Sequence, residues 1–274
     1  MRPNKATSSI LIIIYFGLCL LLHEEAEKPF EWFVKNFGNA NLSLLLNIVF
    51  GISVLLLIFY VLKKLVEHPQ RMRMLIFWLV ALIFSYIGYY TLMPYKSEGI
   101  HFVQYCIMGY LCYHVLGKSW PALMLAYVLG VSDELYQYIW GGSVYLDFND
   151  MVLNFLGSFL GILLYSTMNP ASIISGSDLQ WRPGWSMCIL IVCCSLGFAV
   201  LHYSGLVCIY ADDGCNISLI KWDRGRLSYD FWDCTDWGKC WHRIKVWEGI
   251  IVLPVLALVS FISFNKLDIK HGHA

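Results

Sequence analysis

Long runs without acidic or basic side chains follow one another along almost the whole chain. Six runs contain no Asp, Glu, Lys or Arg: 6–22, 36–62, 74–95, 151–177, 183–211 and 249–265. A helix needs about 20 residues to cross a hydrocarbon core of ~30 Å, with roughly 17 to 25 tolerated, so each run is long enough to be a span. Two more spans are predicted at 99–117 and 119–140. The pattern predicts an all-α, polytopic membrane protein with about eight transmembrane helices.

Composition narrows the class of protein further. Charged residues make up 14% of the chain and hydrophobic residues 58%, whereas soluble domains have roughly 25% charged residues. These values exclude an ordinary soluble globule, and also a disordered chain, which needs low hydrophobicity and high charge. The 19 basic and 19 acidic residues cancel. The net charge therefore gives no basis for a nucleic-acid partner.

The basic residues predict how the chain is oriented. With the N-terminus in the cytoplasm, the inner loops and termini hold ten Lys and Arg residues, and the short outer loops hold three. Cytoplasmic loops are enriched in Lys and Arg, so both termini are predicted to be cytoplasmic, in the plasma or inner membrane. Arg2 and Lys5 precede the first run as they would in a signal peptide, but no small-x-small cleavage pattern follows it. An uncleaved first helix is expected.

Cysteines support this orientation independently. Six of the ten lie within predicted spans, and the other four lie in or beside one long loop, 207–247: Cys208, Cys215, Cys234 and Cys240. None of the spacings is the short CxxC type that is typical of zinc sites. Two disulfides on the outer side are predicted instead, with their connectivity open.

Polar residues within three successive spans fall at the same depth. At 1.5 Å per residue, Asp133 lies ~21 Å and Gln137 ~27 Å along the fifth span, in the outer third of the membrane. The fourth span enters from outside with Glu98, His101 and Tyr105, and the sixth with Asp147, Asp150 and Asn154. Glu134 can reach Gln137 at i+3. The pattern predicts a polar pocket among spans four, five and six that opens to the outside.

Several of these residues have plainer explanations. Asp147 and Asp150 suit the N-terminal cap and first turn of a helix. His101 also suits a helix start at the membrane interface, and Gly157 and Gly161 form a GxxxG packing step. Asp133 and Glu134 are different, because acids inside a membrane are rare and are usually functional.

The same residues resemble the VanZ-like family of membrane proteins. The resemblance covers about residues 86–165, with the motifs EGIHFVQY (98–105), SDELYQ (132–137) and DFNDMVLNFLGSFLG (147–161). In one respect the chain departs from the family: residues 138–149 contain no basic residue, where members commonly have an Arg. Lys96, Arg224 and Arg226 are the candidate substitutes.

The resemblance implies a fold, a location and a broad role. It implies a four-helix VanZ-like core at 74–168 and does not cover the spans outside that range. The charge-free runs predict those spans: two transmembrane helices at 1–73, and a helix pair at 183–265 around the cysteine-rich loop. The resemblance also implies a link to the cell envelope and to glycopeptide resistance. It implies no settled reaction.

Three functions are compatible with the sequence. The first is a pocket that binds or modifies an envelope lipid or lipid-linked glycan headgroup, with Glu98, Tyr105, Gln137, Asp147 and Asn154 as binding residues. Catalysis, left open, would use His101, Asp133, Glu134 and Asp150, and a divalent cation is a possible cofactor. The second is a transporter or proton relay. The third is a non-catalytic subunit that binds a membrane-protein partner through its aromatic, cysteine-rich loop.

Overall fold

The computed structural model describes residues 5–93, 96–139, 147–169, 193, 196–197, 199–201, 203–204, 232–234 and 240–269. Helices account for most of this part of the chain. In chain order they are α1 (Lys5–Leu21), α2 (His23–Phe37), α3 (Asn39–Leu65), α4 (Arg71–Thr91), a short 3₁₀ turn (Lys96–Gly99), α5 (Ile100–Leu116), α6 (Ser119–Ile139), α7 (Phe148–Met168) and a C-terminal helix (Val246–Ile269). Two short antiparallel strands, β1 (Asp233–Cys234) and β2 (Cys240–Trp241), form a hairpin before that last helix.

Among the described residues, three helices are long and apolar enough to cross a membrane: α3, α4 and α7. Membrane association is therefore supported by the helices themselves. The structure does not test the other predicted spans or the orientation of the chain in the membrane. The division of the chain into segments 1–73, 74–168 and 183–265 also stays a prediction. α1 and α5 each have 17 residues, and 183–211 lies almost wholly outside the described part.

Helix α7 forms the centre of the bundle and packs against α5, α6 and α4. It lies especially close to α5, because glycines remove the side chains that would separate the two backbones. A Cβ atom at Gly161 would overlap the carbonyl of Cys106, and one at Gly157 would lie 2.9 Å from the carbonyl oxygen of Phe102. The packing role predicted for these two glycines is confirmed. Gly109 on α5 has the matching role against Ser158.

Helix α2 is the main difference from the sequence prediction, which assigned these residues to an outer loop. Its apolar residues Ala26, Phe30, Phe33 and Phe37 recur at helical spacing, and its Glu and Lys residues lie at positions between them. An amphipathic helix of this kind is suited to the membrane surface. Gly38, with φ +84°, provides the left-handed turn into α3.

Asn149 ties the segment before the C-terminal helix to the start of α7. Its Nδ2 donates to the carbonyl oxygens of Leu92 at 2.7 Å and His242 at 2.9 Å, and its Oδ1 accepts from Ile244 N at 2.7 Å. One amide side chain thus joins three parts of the chain. We call this arrangement the Asn149 clasp.

The hairpin β1–β2 contains a disulfide between Cys234 and Cys240. One of the two predicted disulfides is therefore confirmed, and the structure supplies the pairing that the sequence left open. Cys208 and Cys215 lie outside the described residues, so the second stays a prediction.

Candidate functional site

Polar side chains from α5, α6 and α7 meet at one end of the bundle. His101 is the second residue of α5, Asp150 is the third residue of α7, and Glu134 lies five residues before the end of α6. We refer to the side chains that meet here as the polar cluster: His101, Tyr105, Asp133, Glu134, Gln137, Asp150 and Asn154. The depth calculation predicts this convergence, and the structure brings these residues together.

The cluster is almost completely removed from solvent. Tyr105, Asp133 and Asn154 are 0% exposed, Glu134 is 2% exposed and His101 is 3% exposed. Burying ionisable groups is costly unless each has hydrogen bonds or a compensating charge. The arrangement therefore has to be explained by its contacts.

Asn154 connects the histidine to one of the acids. Its Oδ1 lies 2.9 Å from His101 Nδ1, and its Nδ2 donates to Glu134 Oε1 at 2.9 Å. A carbonyl oxygen only accepts, so the His101 Nδ1 must carry the proton of that bond. The amide orientation follows in turn from the Glu134 carboxylate, which needs a donor.

Asp133 occupies a separate position within the cluster. It accepts hydrogen bonds from Tyr105 Oη at 2.8 Å and Gln137 Nε2 at 3.2 Å, and Gln104 Nε2 lies at 3.5 Å. These donors are all neutral. Gln104 is absent from the sequence-based set, although its position three residues after His101 on the same helix is the signal that identifies it.

The two acids at the start of α7 have different roles. Asp147 is the N-cap residue, and its side chain accepts from the backbone N–H groups of Asn149 and Asp150. Asp150 instead reaches into the cluster, where its Oδ2 lies 3.6 Å from His101 Nε2. Asp147 therefore caps the helix, as one of its sequence-based explanations has it, whereas Asp150 lies beside His101.

One ligand atom each from His101, Glu134 and Asp150 lies within 4.8 Å of the others. These residues come from three different helices, so their proximity depends on tertiary packing. Nitrogen and carboxylate oxygen atoms at this spacing are able to hold a cation between them.

A cavity of about 340 Å³ adjoins the cluster. Its polar wall is formed by Glu98, His101 and Gln104, and its apolar wall comes from α1 and α2: Tyr15, Leu18, Cys19, Leu22, Ala26 and Phe30. The cavity is therefore lined by both polar and apolar side chains. Sequence reasoning identified neither helix as part of the site.

The proposed substitutes for the family arginine are only partly described. Lys96 donates to the carbonyl oxygen of Tyr89 at 2.7 Å, and its Nζ lies 4.2 Å from the centre of the Tyr89 ring. Arg224 and Arg226 lie outside the described residues. The contact with Tyr89 gives Lys96 a role in packing α4 against the 3₁₀ turn.

Comparison of the chain with models of known families, with curated proteins and with solved structures finds no match. The resemblance to the VanZ-like family therefore rests on the motifs at 98–105, 132–137 and 147–161 alone, and stays a prediction.

Proposed function

We propose that the chain is an integral membrane protein that binds the headgroup of an envelope lipid, or of a lipid-linked glycan, beside the polar cluster. The cavity at Glu98 and His101 is the observation that carries the proposal. It joins a buried polar centre to walls of apolar side chains such as Leu18 and Phe30. A lipid offers the same combination, because its headgroup is polar and its chains are apolar.

The chemistry of the cluster indicates which headgroups suit it. Carboxylates are hydrogen-bond acceptors, and three of them, Asp133, Glu134 and Asp150, lie in the polar cluster. Sugar hydroxyl groups and an ammonium group are donors, so a glycan or an amine headgroup would complement them directly. A phosphate would approach more favourably with a cation between the charges.

The proposal extends to the architecture. In it, α4 to α7 form the VanZ-like core of four helices that the resemblance implies. From the charge-free runs and the distribution of Lys and Arg, the chain crosses the plasma or inner membrane about eight times, with both termini cytoplasmic. α2 would lie along the outer membrane surface, with Ala26 and Phe30 directed at the cavity. If a chemical step occurs, His101 and Asp150 are the pair suited to exchange a proton, since their side chains are 3.6 Å apart.

Transport through the bundle is less well supported. The ionisable group on α5 beyond the cluster is His114, 13 residues and about 20 Å from His101, where its Nδ1 lies 2.9 Å from Tyr165 Oη. Between the two, the α5 and α7 backbones are in direct contact at Gly109 and Gly161. This contact leaves no room for a file of water between those helices.

Lipid retention by the full-length protein tests the proposal. The protein is purified in detergent, incubated with phosphatidylethanolamine, phosphatidylglycerol or a polyprenyl-linked disaccharide, and analysed by native mass spectrometry. We expect one retained molecule, with the amine or the glycan favoured over phosphatidylglycerol. Leu18→Trp should fill the cavity and abolish retention.

The matched control is Ile251→Trp. Ile251 lines a second cavity of about 450 Å³ between α4, α7 and the C-terminal helix, and like Leu18 it is an exposed aliphatic residue. This variant should retain lipid as the wild type does. Absence of retention by the wild type, or equal retention by both variants, would overturn the proposal.

A further inference from the structure

We propose that His101, Glu134 and Asp150 bind one divalent transition-metal ion. The inference goes beyond lipid binding and does not depend on it. One nitrogen and two carboxylate oxygens, supplied by three helices, lie within 4.8 Å of one another. A tetrahedral ion with bonds of about 2.0–2.1 Å holds its ligand atoms about 3.4 Å apart. The 3.6 Å between His101 Nε2 and Asp150 Oδ2 is already close to that spacing.

The hydrogen bond at His101 Nδ1 places the other ring nitrogen, Nε2, on the side of the proposed ion. Nδ1 donates to Asn154 Oδ1 at 2.9 Å, which fixes the proton on Nδ1 and leaves the lone pair of the neutral ring on Nε2. Nε2 is the atom that faces Asp150. Histidine ligands in metal sites commonly donate their other ring N–H to an oxygen in this way, which sets the tautomer and the ring orientation.

Burial of the carboxylates also favours a bound cation at this site. Glu134 is 2% exposed, and its donor is the neutral amide of Asn154. The neighbouring Asp133 likewise accepts from neutral groups. A divalent ion would compensate the carboxylates within the bundle, where leaving them ionised alone is costly.

The donor set selects the class of ion. An imidazole nitrogen with two carboxylate oxygens suits Zn²⁺ or Mn²⁺, whereas Mg²⁺ and Ca²⁺ prefer oxygen alone and Cu⁺ prefers sulfur. Three protein ligands also leave a coordination position open for water or a ligand oxygen. His101 lines the cavity with Glu98 and Gln104, so such a ligand would have a route to the ion.

Metal content and coordination of the full-length wild type provide the first test. The detergent-purified protein is stripped with a chelator, titrated with Zn²⁺, and studied by elemental mass spectrometry and X-ray absorption. We expect one Zn²⁺ per chain and a first shell of nitrogen and oxygen at about 2.0–2.1 Å. Absence of stoichiometric binding would overturn the proposal. So would sulfur at about 2.3 Å, because the ion would then belong to cysteines.

A matched pair of variants provides the second test. Glu134→Gln keeps the oxygen that accepts from Asn154 but removes the charge of the ligand, so Zn²⁺ affinity should fall by more than about 100-fold, beyond the 10- to 100-fold typical of residues behind the ligands. His114→Gln, at the opposite end of α5, should bind as the wild type does. Unchanged affinity in folded Glu134→Gln would refute the site, and if that variant does not fold, the wild-type absorption spectrum decides alone.

Discussion

Helices α3 and α7 both have the length and composition of membrane spans, yet they occupy opposite environments. In its most apolar window α3 has a hydropathy of 2.7 and 6% of its residues are buried within the protein, whereas α7 has 1.6 and 89%. The more hydrophobic helix is thus the peripheral one. In a membrane the surroundings are as apolar as leucine, so the small and polar residues mark the faces that pack against protein.

This contrast explains why α7 carries the candidate site. Gly157 and Gly161 allow α5 to approach, and Asn154 hydrogen-bonds to both other helices of the cluster. On α3, by contrast, apolar side chains such as Leu55 and Phe59 are exposed and suited to contact lipid. The same substitution, made once in α7 and once in α3, should therefore change the stability of the protein by very different amounts.

The largest difference is expected for glycine. Gly161→Leu forces a side chain into the carbonyl of Cys106 on α5, and we expect a loss of more than about 3 kcal/mol of stability, or no folded protein. A Cβ atom at Gly51 on α3 would have no other atom within 4 Å, so Gly51→Leu should cost less than about 0.5 kcal/mol of stability. Thermal unfolding in detergent, with size-exclusion profiles, measures both. Similar behaviour of the two variants would mean that α7 is not the packed centre.

An intermediate difference is expected for leucine. Leu153 on α7 is 0% exposed, so Leu153→Ala should create a cavity and cost about 2–3 kcal/mol. Leu55 on α3 is 67% exposed, and Leu55→Ala should cost about 0.5 kcal/mol or less. Denaturant titration in mixed micelles compares them. A larger effect at Leu55 would indicate that another surface covers α3.

The smallest effect concerns the turn between α3 and α4, outside the spans. His68 is 4% exposed, and burial lowers its pKa below the usual value. The unfolded chain therefore takes up the proton first as pH falls, and stability is lost below the ordinary pKa of about 6.5. The melting temperature should fall from pH 7.5 to pH 5.5 by about 2 °C more in the wild type than in His68→Asn. Equal falls would exclude this role for His68.

The sequence predicted the polar cluster well, for a geometric reason. Helices fix depth at 1.5 Å per residue, so polar residues near the ends of successive spans must reach the same level. Which residues then face each other was not predictable in detail. Both Asp147 and Asp150 suited the cap and first turn of a helix, and only the structure separates the cap, Asp147, from the residue beside His101, Asp150.

Three other features were not predicted from the sequence: helix α2, the partner of Cys234 and the Asn149 clasp. The charges around Pro29 made α2 look like a loop, although Phe30, Phe33 and Phe37 follow the helical period. The partner of Cys234 could not be predicted because four cysteines can form two disulfides in three different ways. Asn149 lies within the motif at 147–161, but nothing in that motif identifies Leu92, His242 or Ile244 as its partners.

The Asn149 clasp also has a consequence for the order of assembly. Its partners at Leu92 and at His242 and Ile244 are separated by about half of the chain, and the later ones are synthesised last. α5, α6 and α7 can therefore pack before the clasp closes, and until then the Asn149 amide lacks two of its three partners. The clasp cannot close before His242 and Ile244 have been synthesised, so the beginning of α7, one residue from Asp150, gains these contacts only after α5, α6 and α7 are complete.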